Sequence, residues 1–481
     1  MAEITCEHYK DVAGKGIADP VLQKALANLQ NRFGRGTAAA YRNLPEGPEL
    51  RFRAKAIREH AIDHLDLLLE RLADKIEARG GHVFFAEDAE AAVAYCREVA
   101  GRHGVQRIVK GKSMVTEEIG LNPALMADGI EVTETDLGEY IVQLAGDHPS
   151  HIIAPAIHKT RKEIGRLFAD KLGIPYTEDP PTLTQAARKA LREKFMAADM
   201  GITGCNLACA ETGHITTLSN EGNIRMAATL PRVHVAVMGM ERVVARLSDH
   251  AILFRLLAMG AAAQQMAGYV SYVGGPAGPD KIDGPEEFHL VILDNGRSRI
   301  LADPEFREML QCIRCAACLN VCPVYGEIGG HAYGYPYSGP VGAVITPLLV
   351  GVNRAKDLCQ GETLCGACRD ACPVAIDILR MLLALRAKLA VGDDRWSVEP
   401  ANPVERTAYR FWSRLIGNRR LYEMCLRAAG IGGRLFARKD GTLGRLPGPV
   451  SGWTRTRNLP TPASKSFMRR WKEMEEGPRH D

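Results

Sequence analysis

Apolar positions recur along this chain with two different periods. Over 21–33, Leu22, Ala25, Leu26 and Leu29 fall on one helical face before Gly34 and Gly36 break the run. From Ile57 to Ala78 a longer stripe of Ile62, Leu65, Leu68, Leu69, Leu72 and Ile76 predicts a second helix that stops at Gly80 and Gly81. Beyond Gly80 short apolar runs alternate with helical stretches. Strands are predicted at 82–86, 105–111, 130–137, 151–156, 232–244 and 288–298, and helices at 87–104, 115–127, 159–172, 183–199 and 247–266. Two β-like runs within 202–223 flank a turn at Glu211, Thr212 and Gly213, while 272–287 reads as a loop from its glycine and proline content. This rhythm predicts an α/β domain with a mostly parallel sheet covered on both faces. Ligands of such domains bind at the carboxyl ends of the strands, where Lys110, Lys112 and Ser113 stand.

The pattern divides the chain into four parts: an accessory helical region at 1–79, the α/β domain at 80–298, a cysteine-rich segment at 299–390 and a basic helical tail at 391–481. The third part closes on an amphipathic helix at 375–390. In the tail, arginines interleaved with Phe411, Trp412, Leu415 and Tyr422 predict an amphipathic basic helix. Core packing under a solvated face, docking on a partner and contact with a membrane surface all fit that pattern.

Composition narrows the class. The 481 residues are 25% charged and 46% apolar with a net charge of +4, ordinary for a globular protein and too weakly basic to argue for nucleic acid. No apolar run reaches the length of a membrane span, and the first residues lack the apolar core of a secretory signal, so a cytoplasmic location is expected. Of 13 cysteines, eight lie between 312 and 372. The other five, Cys6, Cys96, Cys205, Cys209 and Cys425, read as free thiols.

The eight carry the chemistry. Cys312, Cys315, Cys318, Cys322 and Pro323 form C-x2-C-x2-C-x3-C-P, the run used by two-cluster bacterial ferredoxins. Cys365, Cys368, Cys372 and Pro373 form a shortened second copy. In this arrangement three closely spaced thiolates hold one cluster and the fourth crosses to the other. Cys312, Cys315 and Cys318 are thus expected to share a [4Fe-4S] cluster with Cys372, and Cys322 to join Cys365 and Cys368 on a second. The second copy has Glu362 where its first cysteine would stand. Cys359 is a candidate fourth ligand if the turn bulges; otherwise the second cluster takes an oxygen or outside ligand, or is a [3Fe-4S] cluster. Structural zinc fits a 3-3-4 run poorly, and a disulfide framework belongs to small secreted domains.

Two residues of the α/β domain are candidates for a site of its own. Glu211, in its turn, is a candidate catalytic carboxylate, and Lys112 a candidate substrate-binding cation; the plainer alternatives are a carboxylate that orders its turn and a solvated lysine. Cys205 and Cys209 lack a second pair for metal. Gly274, Gly275 and Gly278 do not make a dinucleotide fingerprint. Clusters carry single electrons, so a two-electron step on an organic substrate would fall to a partner.

The segments FMAADMGITGCNLACAETGHITTLSNEGNIRM, DGPEEFHLVILDNGRS, CIRCAACLNVCPVYGEIGGHAYG and LCGACRDACPV resemble the lactate utilization protein B family, iron–sulfur subunits of a bacterial L-lactate oxidation system. The resemblance implies that 80–298 is a lactate-utilization domain, similar in fold to ribose-phosphate isomerases and CoA-transferases. It implies two partners, a cysteine-rich subunit and a smaller copy of the lactate-utilization domain, acting with this one to convert L-lactate to pyruvate and pass electrons to an acceptor that it does not identify. It implies Cys312, Cys315, Cys318, Cys322, Cys365, Cys368 and Cys372 as cluster ligands and places no cysteine at 359.

Overall fold

The computed structural model describes residues 4–475 apart from 279, 436, 445, 447, 453, 455, 456 and 464, so the first three and last six residues of the flanking regions lie outside the described residues. Contacts divide the chain into two compact units between Glu399 and Pro400.

The strands of the first unit are, in chain order, β1 (His82–Ala86), β2 (Arg107–Lys110), β3 (Glu131–Glu134), β4 (Met200–Gly204), β5 (Leu207–Cys209), β6 (His214–Ser219), β7 (Val233–Gly239), β8 (Val243–Val244), β9 (Tyr269–Val273) and β10 (Glu287–Leu293). Six of them form one sheet in the order β1-β10-β7-β4-β2-β3, every pairing parallel. Alternation places Val233, Val235 and Val237 of β7 on the face covered by the helices Ala89–Arg102 and Leu121–Ala127, and Ala236 and Met238 on the face covered by Leu65–Glu77. Both faces are therefore dry, and the strands read as apolar runs. At Gly201 in β4 a Cβ would lie 1.7 Å from the Ala227 carbonyl oxygen, so only glycine lets the helix Asn223–Thr229 approach the sheet this closely.

Three features depart from the expected pattern. Residues 151–156 form no strand: Nδ1 of His151 accepts the backbone N–H of Ile153 and Ala154, both at 3.0 Å, and this local bonding replaces a ladder. The strand expected over 130–137 ends at Glu134, because Asp136 caps a helix at Leu137–Leu144 by accepting from the Glu139 N–H. β5, β6, β8 and β9 form a separate four-stranded mixed sheet, with the order β8-β5-β6-β9.

The region 1–79 is more than accessory. Leu22, Leu26, Leu50, Ala54 and Ile62 share one apolar core with the cysteine segment. Arg51 donates to the Cys372 carbonyl at 2.6 Å, and Gln30 to the Cys322 carbonyl at 2.8 Å. In the second unit the expected single basic helix is two, Pro403–Gly417 and Arg419–Leu435, and Phe411 and Trp412 are exposed on the first. Among the described residues, no helix is long and apolar enough to cross a membrane.

Candidate iron–sulfur centre

The two cysteine motifs fold alike. Cys315, Cys318 and Cys322 correspond to Cys365, Cys368 and Cys372, each 50 positions later (365 − 315, 368 − 318, 372 − 322). Five-residue helices, Ala317–Val321 and Ala367–Ala371, carry the second cysteine of each trio and end just before the third. The backbone repeats as well: Arg314 and Leu364 have φ of 59° and 56°, and Ala316 and Gly366 of 62° and 92°. Left-handed conformations at non-glycine residues are costly and persist where the surroundings enforce them. Here they turn successive sulfurs toward one point.

The thiols act on one another in two overlapping groups, with Cys368 reaching Cys318 across them. Burial pushes Cys318 far up, and Cys312, Cys315, Cys368 and Cys372 push it further. Cys315 is raised by burial and then by Cys372 and Cys312. Cys372 is raised by burial to about 11, with Cys312 adding to it. Cys312, Cys315, Cys318 and Cys372 stand close enough to act on one another, the proximity that the expected first donor set requires. Cys322 is raised by burial and then by Glu362, and Cys368 is raised to about 12 by burial, Glu362 and Cys365. A small, partly open cavity is lined by Cys322, Glu362, Cys365 and Cys368 together. Side chains of both motifs therefore face this cleft, the juxtaposition that the expected second donor set requires.

Metal-free thiolates packed this closely repel one another, so a cationic core among them is what lets them ionise together. Backbone N–H groups of Arg314, Tyr325 and Ile376 lie 3.4 Å from the sulfurs of Cys312, Cys322 and Cys372, the donors expected around cluster sulfurs. Arg314 lies buried beside Cys312, and its Nε and Nη1 have no hydrogen-bond partner. An anionic cluster is the acceptor that this orphaned cation lacks. The residues present therefore fit iron–sulfur clusters.

The first set meets the α/β domain at the carboxyl edge of its sheet. Arg58, fully buried, donates to the carbonyls of Val243, Glu241, Leu310 and Gln311. Arg242 donates to the Cys312 carbonyl at 3.3 Å. Arg297 holds Glu118 by two contacts at 2.9 and 2.7 Å and Glu241 by one at 2.9 Å, and Tyr337 donates to Glu118 at 2.5 Å. The Arg314 guanidinium stacks 4.3 Å from the Tyr337 ring centre. Four buried arginines (58, 242, 297 and 314) face two buried carboxylates (118 and 241), leaving two positive charges in excess near Cys312. Sequence reasoning missed this network. Its one signal is charge inside apolar runs, as at Glu241 and Arg242 within VAVMGMERVV.

The other candidates stand as follows. Cys359 lies in the helix Lys356–Gly361 with its sulfur 3.9 Å from the carbonyl oxygens of Ala343 and Ala355, turned toward the helix Gly339–Val350 and absent from the wall of the cavity. Glu211 is exposed in its turn, where it accepts the Leu247 N–H at 2.8 Å and caps the helix Leu247–Ala262; it lines neither of the two cavities described here, because the short β5 strand and its turn direct it to solvent. Lys112 is not a solvated lysine. It is half-buried, 2.8 Å from Glu139, and lines a small open cleft with Glu117, His151, Gly330, Tyr335 and Ser338. Glu117 there is pushed up to about 8 by burial and by the Glu139 charge.

Family models match the chain in three stretches: a LUD domain over 69–293, a 4Fe-4S dicluster domain over 308–376 and the C-terminal region of lactate utilisation protein B over 398–476. Lactate utilization protein B of Bacillus licheniformis is 43% identical over 98% of this chain and 97% of its own length. That of Bacillus cereus strain AH820 is 43% identical over 99% of both chains, and that of Bacillus velezensis 44% over 96% of both. A solved DUF162 family protein from Deinococcus radiodurans covers 48% of this chain at 14% identity with a TM-score of 0.27, too distant to add to the fold. With relatives of that identity along nearly its whole length, the chain belongs to the lactate utilization protein B family.

Proposed function

We propose that this protein is an iron–sulfur electron-carrying subunit of a lactate-utilization system that oxidises L-lactate to pyruvate. The observation that carries the reading is the interlocked pair of donor sets, and its relatives are named for lactate utilization. When bound, the clusters supply one-electron transfer. Converting lactate to pyruvate removes two electrons and two protons, so the two-electron chemistry belongs to a partner, a cysteine-rich subunit or a smaller lactate-utilization-domain subunit of a cytoplasmic complex. This chain's residues hold the carriers side by side and keep water away. Tyr325, Tyr333 and Tyr337 are fully buried around the cysteine segment, and the excess arginine charge stabilises electron density at the first site. The test is anaerobic copurification with the partners, followed by electron-spin resonance after adding L-lactate. Reduction of both clusters supports the reading; lactate turnover with clusters that never change state, or a colourless zinc protein, sinks it.

A second reading is favoured by the cavity at Lys112. A half-buried lysine beside a Glu117 that stays protonated below about pH 8 offers a cation and a neutral donor to a small carboxylate. In this reading the α/β domain binds substrate itself, through Lys112 rather than Glu211. Above pH 8 Glu117 ionises and repels an anion, so carboxylate binding weakens as pH rises through that value. Calorimetry with lactate on wild type, Lys112→Met and Glu117→Gln checks it: binding that is absent at every pH rejects it.

A further inference from the structure

We infer that the carboxylate of Glu362 is the fourth protein ligand of the second cluster, completing a set with Cys322, Cys365 and Cys368. The inference rests on the cluster reading above and adds the ligand that the cysteine count leaves missing.

Position is the first argument. Glu362 is the counterpart of Cys312 under the 50-residue offset (362 − 312), and both leave a helical turn in extended conformation, with φ −82°, ψ 145° for Glu362 and φ −60°, ψ 126° for Cys312. The backbone that delivers Cys312 to the first site delivers Glu362 to the second.

Orientation is the next. Glu362 is 9% exposed, far below what an unpaired carboxylate usually tolerates. Its Oε1 accepts from the buried Tyr333 hydroxyl at 3.0 Å, and its backbone carbonyl accepts from Arg386 at 2.6 Å. Those contacts leave Oε2 directed at Cys322, 3.5 Å from its sulfur. Once Cys322 is a thiolate it has no proton to donate, and two anions at that distance repel. A cation shared by them turns the contact from repulsion into coordination. Tyr333 then plays the part that outer hydrogen-bond donors play around metal-ligating carboxylates, fixing the free oxygen so the other one points inward.

The rival thiol is directed away, since Cys359 is engaged with the Ala343 and Ala355 carbonyls. Moving its sulfur into the cavity would require unwinding the helix Lys356–Gly361.

A carboxylate oxygen is a harder donor than a thiolate and holds a cluster iron less firmly. The iron on Glu362 is therefore the first to leave on mild oxidation. The experiment compares full-length wild type, Glu362→Ala, Glu362→Cys and Cys359→Ala, all purified without oxygen, by iron and sulfide counts and electron-spin resonance before and after one equivalent of ferricyanide. Expected for wild type is one-electron oxidation with loss of a single Fe(II) and a three-iron signal, reversed by added Fe(II) together with dithionite, which returns the electron. Glu362→Ala should show that signal as isolated, Glu362→Cys should resist its formation, and Cys359→Ala should match wild type. The inference is overturned if Glu362→Ala keeps wild-type iron and wild-type oxidation behaviour, or if Cys359→Ala shows the three-iron signal as isolated. Should the alanine variant not fold, Glu362→Cys decides alone, since unchanged sensitivity to ferricyanide rejects the carboxylate. Wild type without iron and sulfide would instead fail the cluster reading itself.

Discussion

The two cysteine motifs share a backbone and differ in what surrounds it. The first set has four thiolates, a buried excess of arginine charge and a seam with the α/β sheet. The second has three cysteines and a glutamate, no arginine equivalent to Arg314, since Leu364 stands in that place, and one exposed member, Cys365. Net charge, hydrogen bonding to sulfur and solvent access are the levers a protein has on cluster potential. Charge and hydrogen bonding favour added electron density at the first site, whereas the solvent access of Cys365 favours it at the second. Duplicating a motif supplies two binding sites; it is the neighbours, drawn from other parts of the chain, that make them unequal.

The largest expected effect tests whether the sets interlock at all. Cys318→Ser and Cys372→Ser should each abolish the first cluster and remove about half the iron, while Cys322→Ser abolishes the second. Electron-spin resonance distinguishes the two losses, and a Cys372→Ser protein that lost the same signal as Cys322→Ser would undo the crossed assignment. Next, Arg58→Met leaves four buried carbonyls without their donor. Removing a buried, fully bonded charge of this kind costs about 3–5 kcal/mol, read as a lower denaturation midpoint in urea; a loss under about 1 kcal/mol would show that the seam is not what holds the first site. A smaller change sharpens the asymmetry: Arg314→Gln should lower the potential of the first cluster and leave the second where it is, which a redox titration followed by electron-spin resonance resolves. Equal shifts of both would mean the arginine field is not local. Smallest of all, Glu211→Ala removes one helix-capping acceptor at about 0.5–1 kcal/mol, with iron content, both potentials and lactate-dependent reduction unchanged. Lost reduction with intact clusters would restore Glu211 to a site.

Much of this was legible in the chain. The α/β rhythm was visible because strands buried on both faces must be apolar, and Val233 to Gly239 is such a run. Lys112 was noticed from its place after a strand, although its pairing with Glu139 depends on the helix Leu137–Leu144, which the predicted elements do not include. Strands of two or three residues, such as Leu207–Cys209 and Val243–Val244, are too short to show a period, so the second sheet was invisible. Glu211 looked like a pocket residue because a turn gives no sign of which side faces solvent.

The sequence by itself set the expectation of two crossed donor sets, because cysteine spacing and the following proline are local features of the chain. It also marked the gap at Glu362. Tertiary structure alone decided what faces that gap and how the surroundings of the two motifs differ. The arginines beside Cys312 come from positions 58, 242 and 314, and the hydroxyl that aims Glu362 comes from Tyr333. Burial brings such residues together across long stretches of chain, and charge acts through space with a strength that depends on the dielectric around it.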